Sequence, residues 1–223
     1  MGNERRRPQS AACPPRFIQT SQPGAEYRQA AERFVSTCFN QHYGAEITHF
    51  MPMLMSLSDQ HDELKAVLGF RYADHNPLFL ENYLERPVEQ ILSAKIKAPV
   101  DRSCLVEVGN LAVNTPGGGR WLITALTAYL STTGSEWALF TISPLLYNVF
   151  TRMGLELIDL AEARREALAP QEQASWGSYY DQKPRVMAGN IAHGYSVLKS
   201  LCRLEAPMFE LWQSAEQAGL RAA

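Results

Sequence analysis

The sequence predicts an α/β (α+β) protein with one mixed central sheet and helices on both of its faces. Three observations lead there. HFMPMLMSLS (49–58) and ELKAVLGFRYA (63–73) are apolar runs joined by the polar turn DQHD, which gives an antiparallel hairpin. Val106 to Leu157 spells strand, glycine turn, helix, strand, helix. A chain of 223 residues that is 46% hydrophobic and 20% charged has the material for a proper core.

The elements follow in order. Residues 1–15 combine proline, polar side chains and charge, so disorder is expected there; the basic start has no apolar stretch behind it and fails as a secretory signal. RFIQTS (16–21) reads as a first strand, ended by the Pro23-Gly24 turn. Tyr27, Ala30, Ala31, Phe34, Val35 and Phe39 recur at helical spacing and predict an amphipathic helix over 26–39. Met51, Met53 and Met55 alternate as one packing face of the hairpin. Residues 78–94 read as helix broken near Pro87, with Phe79 and Tyr83 on its apolar side.

VEVGNLAV (106–113) is apolar enough for a buried strand, yet carries Glu107 and Asn110, both costly there without a partner or a task. Strict alternation puts these two on opposite faces unless a bulge at Gly109 re-aims one of them. Pro116 to Gly119 then break regular structure ahead of a helix through Tyr129. Such a turn offers unpaired N–H groups beside the positive end of a helix dipole, a ready site for phosphate. WALFTIS (137–143) is the next strand, Ser143 and Pro144 start a helix that Gly154 closes, and LELIDL (155–160) resumes as strand. AEARREAL is a short charged helix or turn; PRVMAG is a strand, residues 191–204 a helix, and 205–223 a helical or frayed tail on a single domain of residues 16–204.

Several function classes have no support. A net charge of −2 makes no case for nucleic acid, and no window reaches the ~20 apolar residues of a membrane span. Cys13, Cys38, Cys104 and Cys202 lack CxxC spacing, and His42, His49, His61, His75 and His193 lack ligand spacing, so no metal is expected. A soluble, cytoplasmic protein with reduced thiols is the expectation.

EVGNLAV (107–113), WALFTIS, FTRMGL (150–155), WGSYYDQKPRVMAGNI (176–191) and LFLENYLERPVEQ (78–90) carry a resemblance over most of the chain. It resembles the bacterial thermostable hemolysin family, itself distantly similar to the GNAT N-acyltransferases and acyl-homoserine-lactone synthases. That resemblance implies a GNAT-like sheet and transfer of an acyl group from a CoA or acyl-carrier-protein thioester to a small-molecule amine. Pantetheine would pair with the backbone of Leu111, Ala112 and Val113. The phosphate would lie at Gly117, Gly118, Gly119, Arg120 and Trp121, and Ser143 is counted with this donor site. Three consecutive glycines followed by Arg-Trp depart from the usual alternation. Glu107 is the candidate general base, directly or through water, against a plain salt-bridged glutamate; Asn110 and Tyr147 join it as catalytic candidates, Tyr147 also reading as a core side chain. The position of the usual tyrosine acid holds Phe150, which has no proton to give. Phe79, Tyr83, Trp176, Tyr179 and Tyr180, with Lys183 and Arg185 beside them, are read either as acyl or acceptor recognition or as a clamp closing the sheet. A membrane-acting hemolysin and a silent acyl-binding module are the alternatives.

Overall fold

The computed structural model describes residues 17–74 and 77–222; the expectation for residues 1–15, Arg16 of the first strand and His75 lie outside them. Seven strands form one sheet: β1 Phe17–Ser21, β2 Met53–Ser58, β3 Leu64–Tyr72, β4 Leu105–Val113, β5 Trp137–Ile142, β6 Leu157–Glu162 and β7 Arg185–Asn190. Their order is β1-β2-β3-β4-β5-β7-β6. All neighbours are antiparallel except β4 and β5, which run parallel with the helix after the glycine turn as their crossover. The mixed sheet is thus as expected.

The helices are α1 Arg28–Tyr43, α2 Val88–Ile96, α3 Gly118–Leu130, α4 Pro144–Arg152, α5 Pro170–Ser175, α6 Ile191–Cys202 and α7 Ala206–Ala222, with a 3-10 turn at Phe79–Tyr83. One face of the sheet carries the principal core, where Met55, Leu68, Phe70, Val106 and Phe140 meet α3, α6 and α7. The opposite face has two smaller clusters. One sets α1 against Leu54, Val67 and Ala112; the other sets α2 and the 3-10 turn against Leu105, Leu139 and Val186.

Two expectations are corrected. The second strand begins at Met53, because buried Arg28 takes the carbonyls of Met51 at 2.7 Å and Pro52 at 2.8 Å and holds that segment off the ladder. Met51 therefore leaves the face of Met53 and Met55 and packs with α1. Residues 206–222 are a full helix with Met208, Leu211, Trp212 and Ala215 in the principal core. The recurrence of those four at i, i+3, i+4, i+7 is an amphipathic stripe, which buries only against another element.

Candidate functional site

The parallel pairing of β4 and β5 lasts from Leu105–Trp137 to Val108–Phe140 and then stops, while β5 continues to Ile142 against β7. Beyond Val108 the two strands part. The cause lies in β4: Val67 faces Ala112 but Gly69 faces Gly109, so β4 carries one extra residue there. Asn110 takes it up in the left-handed region, φ 50°, a conformation Asn tolerates better than most residues. The bulge shifts the alternation, so that Val106, Val108, Leu111 and Val113 all pack toward the principal core. It also turns Asn110 to the face of Glu107, where its Oδ1 accepts the Met51 amide at 2.8 Å. Gly69 and Gly109 face each other beneath Met51; a Cβ at Gly69 would lie 2.5 Å from Met51 Cβ, and one at Gly109 2.7 Å from its Cε.

Glu107 is 3% exposed, and its carboxylate is well supplied. Oε2 accepts Arg71 Nε at 2.6 Å and the Phe79 amide at 2.9 Å; Oε1 accepts the Leu80 amide at 2.8 Å. Arg71 is its directly opposed partner on β3. A carboxylate offers about four acceptor sites, so one on Oε1 is left. Glu107 thereby ties the 3-10 turn to β4. A second carboxylate, Glu81, secures the same turn by accepting the Leu78 and Val88 amides and pairing with Arg102, whose guanidinium lowers the Glu81 pKa to about 2.

The turn presents Phe79 and Tyr83 to the loop after α5. Phe79 lies 5.9 Å from Trp176, Trp176 lies 5.2 Å from Tyr179, and the hydroxyls of Tyr83 and Tyr180 are hydrogen-bonded. All five aromatic candidates thus form one cluster on the face of Glu107, joined by Phe39 and Tyr43 of α1. Burial raises the pKa of Tyr83 and Tyr179 far above the ordinary phenol value, and the charge of Glu107 adds to the shift at Tyr83. Burial pushes Tyr180 up to about 12. These hydroxyls stay protonated near neutral pH; Tyr179 donates to the Thr141 carbonyl, and within the Tyr83–Tyr180 pair one hydroxyl donates to the other.

On the other face, β4 runs into the glycine turn. Gly117 has φ 81°, and a Cβ on Gly118 would lie 2.9 Å from Val113 Cγ1, so the turn folds tightly onto the end of β4. Arg120 pairs with Glu205 at 2.8 Å, and Trp121 packs on the principal core. Ser143 caps α4, its Oγ accepting the Leu146 amide at 3.4 Å. Tyr147 is 42% exposed on α4 and not a core side chain, whereas Phe150 is buried and stacks on Phe140 at 5.0 Å. Arg185 pairs with Asp159 at 2.9 Å and binds β7 to β6. Among the described residues no three His, Cys, Asp or Glu side chains gather as a metal site requires. No helix among them is long and apolar enough to cross a membrane.

Arg71, Met51, Gly69, Tyr43 and Thr141 are members of this site that sequence reasoning missed. Arg71 and Gly69 are legible only through strand register, and Thr141 enters as the carbonyl that accepts the Tyr179 hydroxyl at 3.2 Å.

A seven-stranded mixed sheet whose parallel pair parts ahead of a glycine turn gives a GNAT-like fold of the kind seen in acyl-homoserine-lactone synthases. Solved structures agree. The N-acyl amino acid synthase FeeM, from uncultured soil microbes, is 15% identical with a TM-score of 0.55, over 81% of this chain and 94% of its own. The acyl-homoserine-lactone synthase LasI is 11% identical with a TM-score of 0.53, over 78% and 89%. BjaI, a CoA-dependent acyl-homoserine-lactone synthase solved with SAM and isopentyl-CoA, is 11% identical with a TM-score of 0.53, over 82% and 88%. At such identities the likeness is one of fold. The chain itself belongs to the thermostable hemolysin family, whose sequence profile matches residues 21–195. No curated protein matches it by sequence.

Proposed function

We propose that the protein is an N-acyltransferase that takes an acyl group from a CoA or acyl-carrier-protein thioester and passes it to a small-molecule amine. The observation that carries this reading is the parting of β4 from β5 after Val108 and Phe140. Among the described residues it leaves the β5-facing edge of Gly109 to Val113 without a strand partner, beside a glycine turn and a buried carboxylate. A pantetheine arm carries amides that can complete such an edge, with Leu111, Ala112 and Val113 as partners. The donor's phosphate then falls to the backbone of Gly117, Gly118 and Gly119. Holding thioester and amine together supplies most of the rate, since a thiolate leaves readily.

In this reading the amine enters from the face of Glu107, and the free lone pair of Oε1 accepts one of its N–H groups. The nitrogen attacks the thioester carbonyl, the C–S bond breaks, the thiolate leaves, and the amine proton passes to Glu107 or a water beside it. Phe150 is no obstacle, because the leaving group needs no proton. Asn110 keeps the bulge in shape; Tyr147 stands exposed at the donor side. Acyl-CoA and carrier-protein thioesters are made in the cytoplasm, where the reading puts this protein.

Purified protein incubated with acyl-CoA or acyl carrier protein and a panel of amines should release thiol. Glu107→Gln should lower that release by roughly 10²-fold or more. Leakage of vesicles by pure protein without any donor would instead support a membrane-acting hemolysin. Saturable thioester binding without turnover would support a silent binding module.

A further inference from the structure

Two aromatic side chains span the parted strands on the face of Glu107. Trp176 and Tyr179 pack against both small clusters, the one that includes Ala112 of β4 and the one that includes Leu139 of β5. Both rings therefore bridge a cluster on β4 and a cluster on β5. The Tyr179 hydroxyl donates to the carbonyl of Thr141 at 3.2 Å, and Thr141 lies just past the last β4–β5 pair, Val108–Phe140. Its hydrogen bond is satisfied there, so what the ring offers the gap is apolar surface.

The ring is firmly backed. Trp176 and Tyr180 lie 5.2 Å from it and Tyr43 lies 5.3 Å away. The loop beneath is stapled by Arg165, which donates to the carbonyls of Gln173 and Gly177 at 2.9 Å each. At Gly177, φ 52°, a Cβ would sit 2.0 Å from the Tyr43 carbonyl oxygen, so the loop lies directly on the end of α1. A side chain held in this way stops a ligand rather than yielding to it.

We propose that Tyr179 sets the length of acyl chain the site accepts, standing as the end wall of a chain that enters between β4 and β5 from the α3–α4 side. The proposal rests on the acyl-transfer reading and names its specificity residue. Removing the ring opens the gap toward the aromatic cluster, whereas removing only the hydroxyl does not.

The test is kcat/KM across saturated acyl-CoA donors from acetyl to dodecanoyl at a fixed amine. Wild type should lose about tenfold or more per methylene beyond its preferred length. Tyr179→Ala should move the optimum to longer chains and raise the first rejected length by about tenfold or more. Tyr179→Leu, which keeps apolar packing if the Ala variant does not fold, should move it in the same direction by less. Tyr179→Phe should keep the wild-type profile. A wild type that turns over donors, with Ala and Leu variants whose length profiles match it, overturns this proposal alone. A wild type inert toward every donor overturns the acyl-transfer reading along with it.

Discussion

Replacing Glu107 by Gln tests the geometry of the site before any substrate is involved. The side chain keeps its volume and loses its charge. In the native arrangement Oε2 serves Arg71 Nε and the Phe79 amide, while Oε1 serves the Leu80 amide. A glutamine has one carbonyl oxygen, so its NH2 must face a donor whichever way it turns. One backbone N–H loses charge assistance, worth about 1 kcal/mol, and another is left opposed, costing about 1–3 kcal/mol. Breaking a fully buried ion pair costs about 3–5 kcal/mol; Arg71, one-quarter exposed, can turn to water and soften that loss. The sum is about 2–4 kcal/mol, read in urea unfolding as a lower midpoint with an unchanged slope. Arg71→Met keeps the stem and removes the charge, and the double variant should show a coupling of about 1–3 kcal/mol. A Glu107→Gln protein within 0.5 kcal/mol of wild type, with strictly additive effects in the cycle, would refute the clamp between β4 and the 3-10 turn.

Two further outcomes follow from the packing and the charges. Trp212 has no exposed surface and its ring lies 5.0 Å from Tyr195, so Trp212→Ala should cost about 3–5 kcal/mol and lower Tm by roughly 10 °C; a shift near zero would make α7 a detachable tail. Glu81 is held near pKa 2 in the folded protein, first by the Arg102 side chain, against 4.5 for a free glutamate. A depressed carboxylate contributes stability above its unfolded pKa and loses it as pH falls through the folded one. Wild type should therefore exceed Glu81→Gln by about 1–2 kcal/mol at pH 6, allowing for solvent screening, and the gap should close between about pH 4.5 and 2. A gap that is constant with pH would assign the effect to packing.

Much of the strand-turn-helix core is legible in the chain because its signals are local. The β-branched run of β4, the glycines before α3, Pro144 at the start of α4 and the left-handed Gly154 at its end each act within a few residues. The face of Asn110 was legible only as a condition, since alternation alone separates it from Glu107 and the extra residue in β4 reunites them. The start of β2 was not, because what ends the ladder at Met53 is Arg28, distant in sequence and folded onto the Met51 and Pro52 carbonyls. For the aromatic residues, types suggested a role but not an assembly. Phe79 and Trp176 meet only because α1, the 3-10 turn and the loop after α5 converge on one face. The stripe on α7 was readable in principle, but intervening Glu210, Gln213 and Glu216 dilute it, and its complement on α3 lies far away in the chain.

In the proposed reaction the gap between β4 and β5 holds a thioester whose acyl group passes to an amine. The most direct measurement is mass detection of the amide formed when pure protein, an isotopically labelled acyl thioester and a panel of amines are incubated together. Acyl transfer in this gap should give labelled acyl-amide in step with free thiol, both dependent on Glu107. Thioester that stays intact with every amine, while the same preparation permeabilises vesicles in the absence of donor, would contradict it.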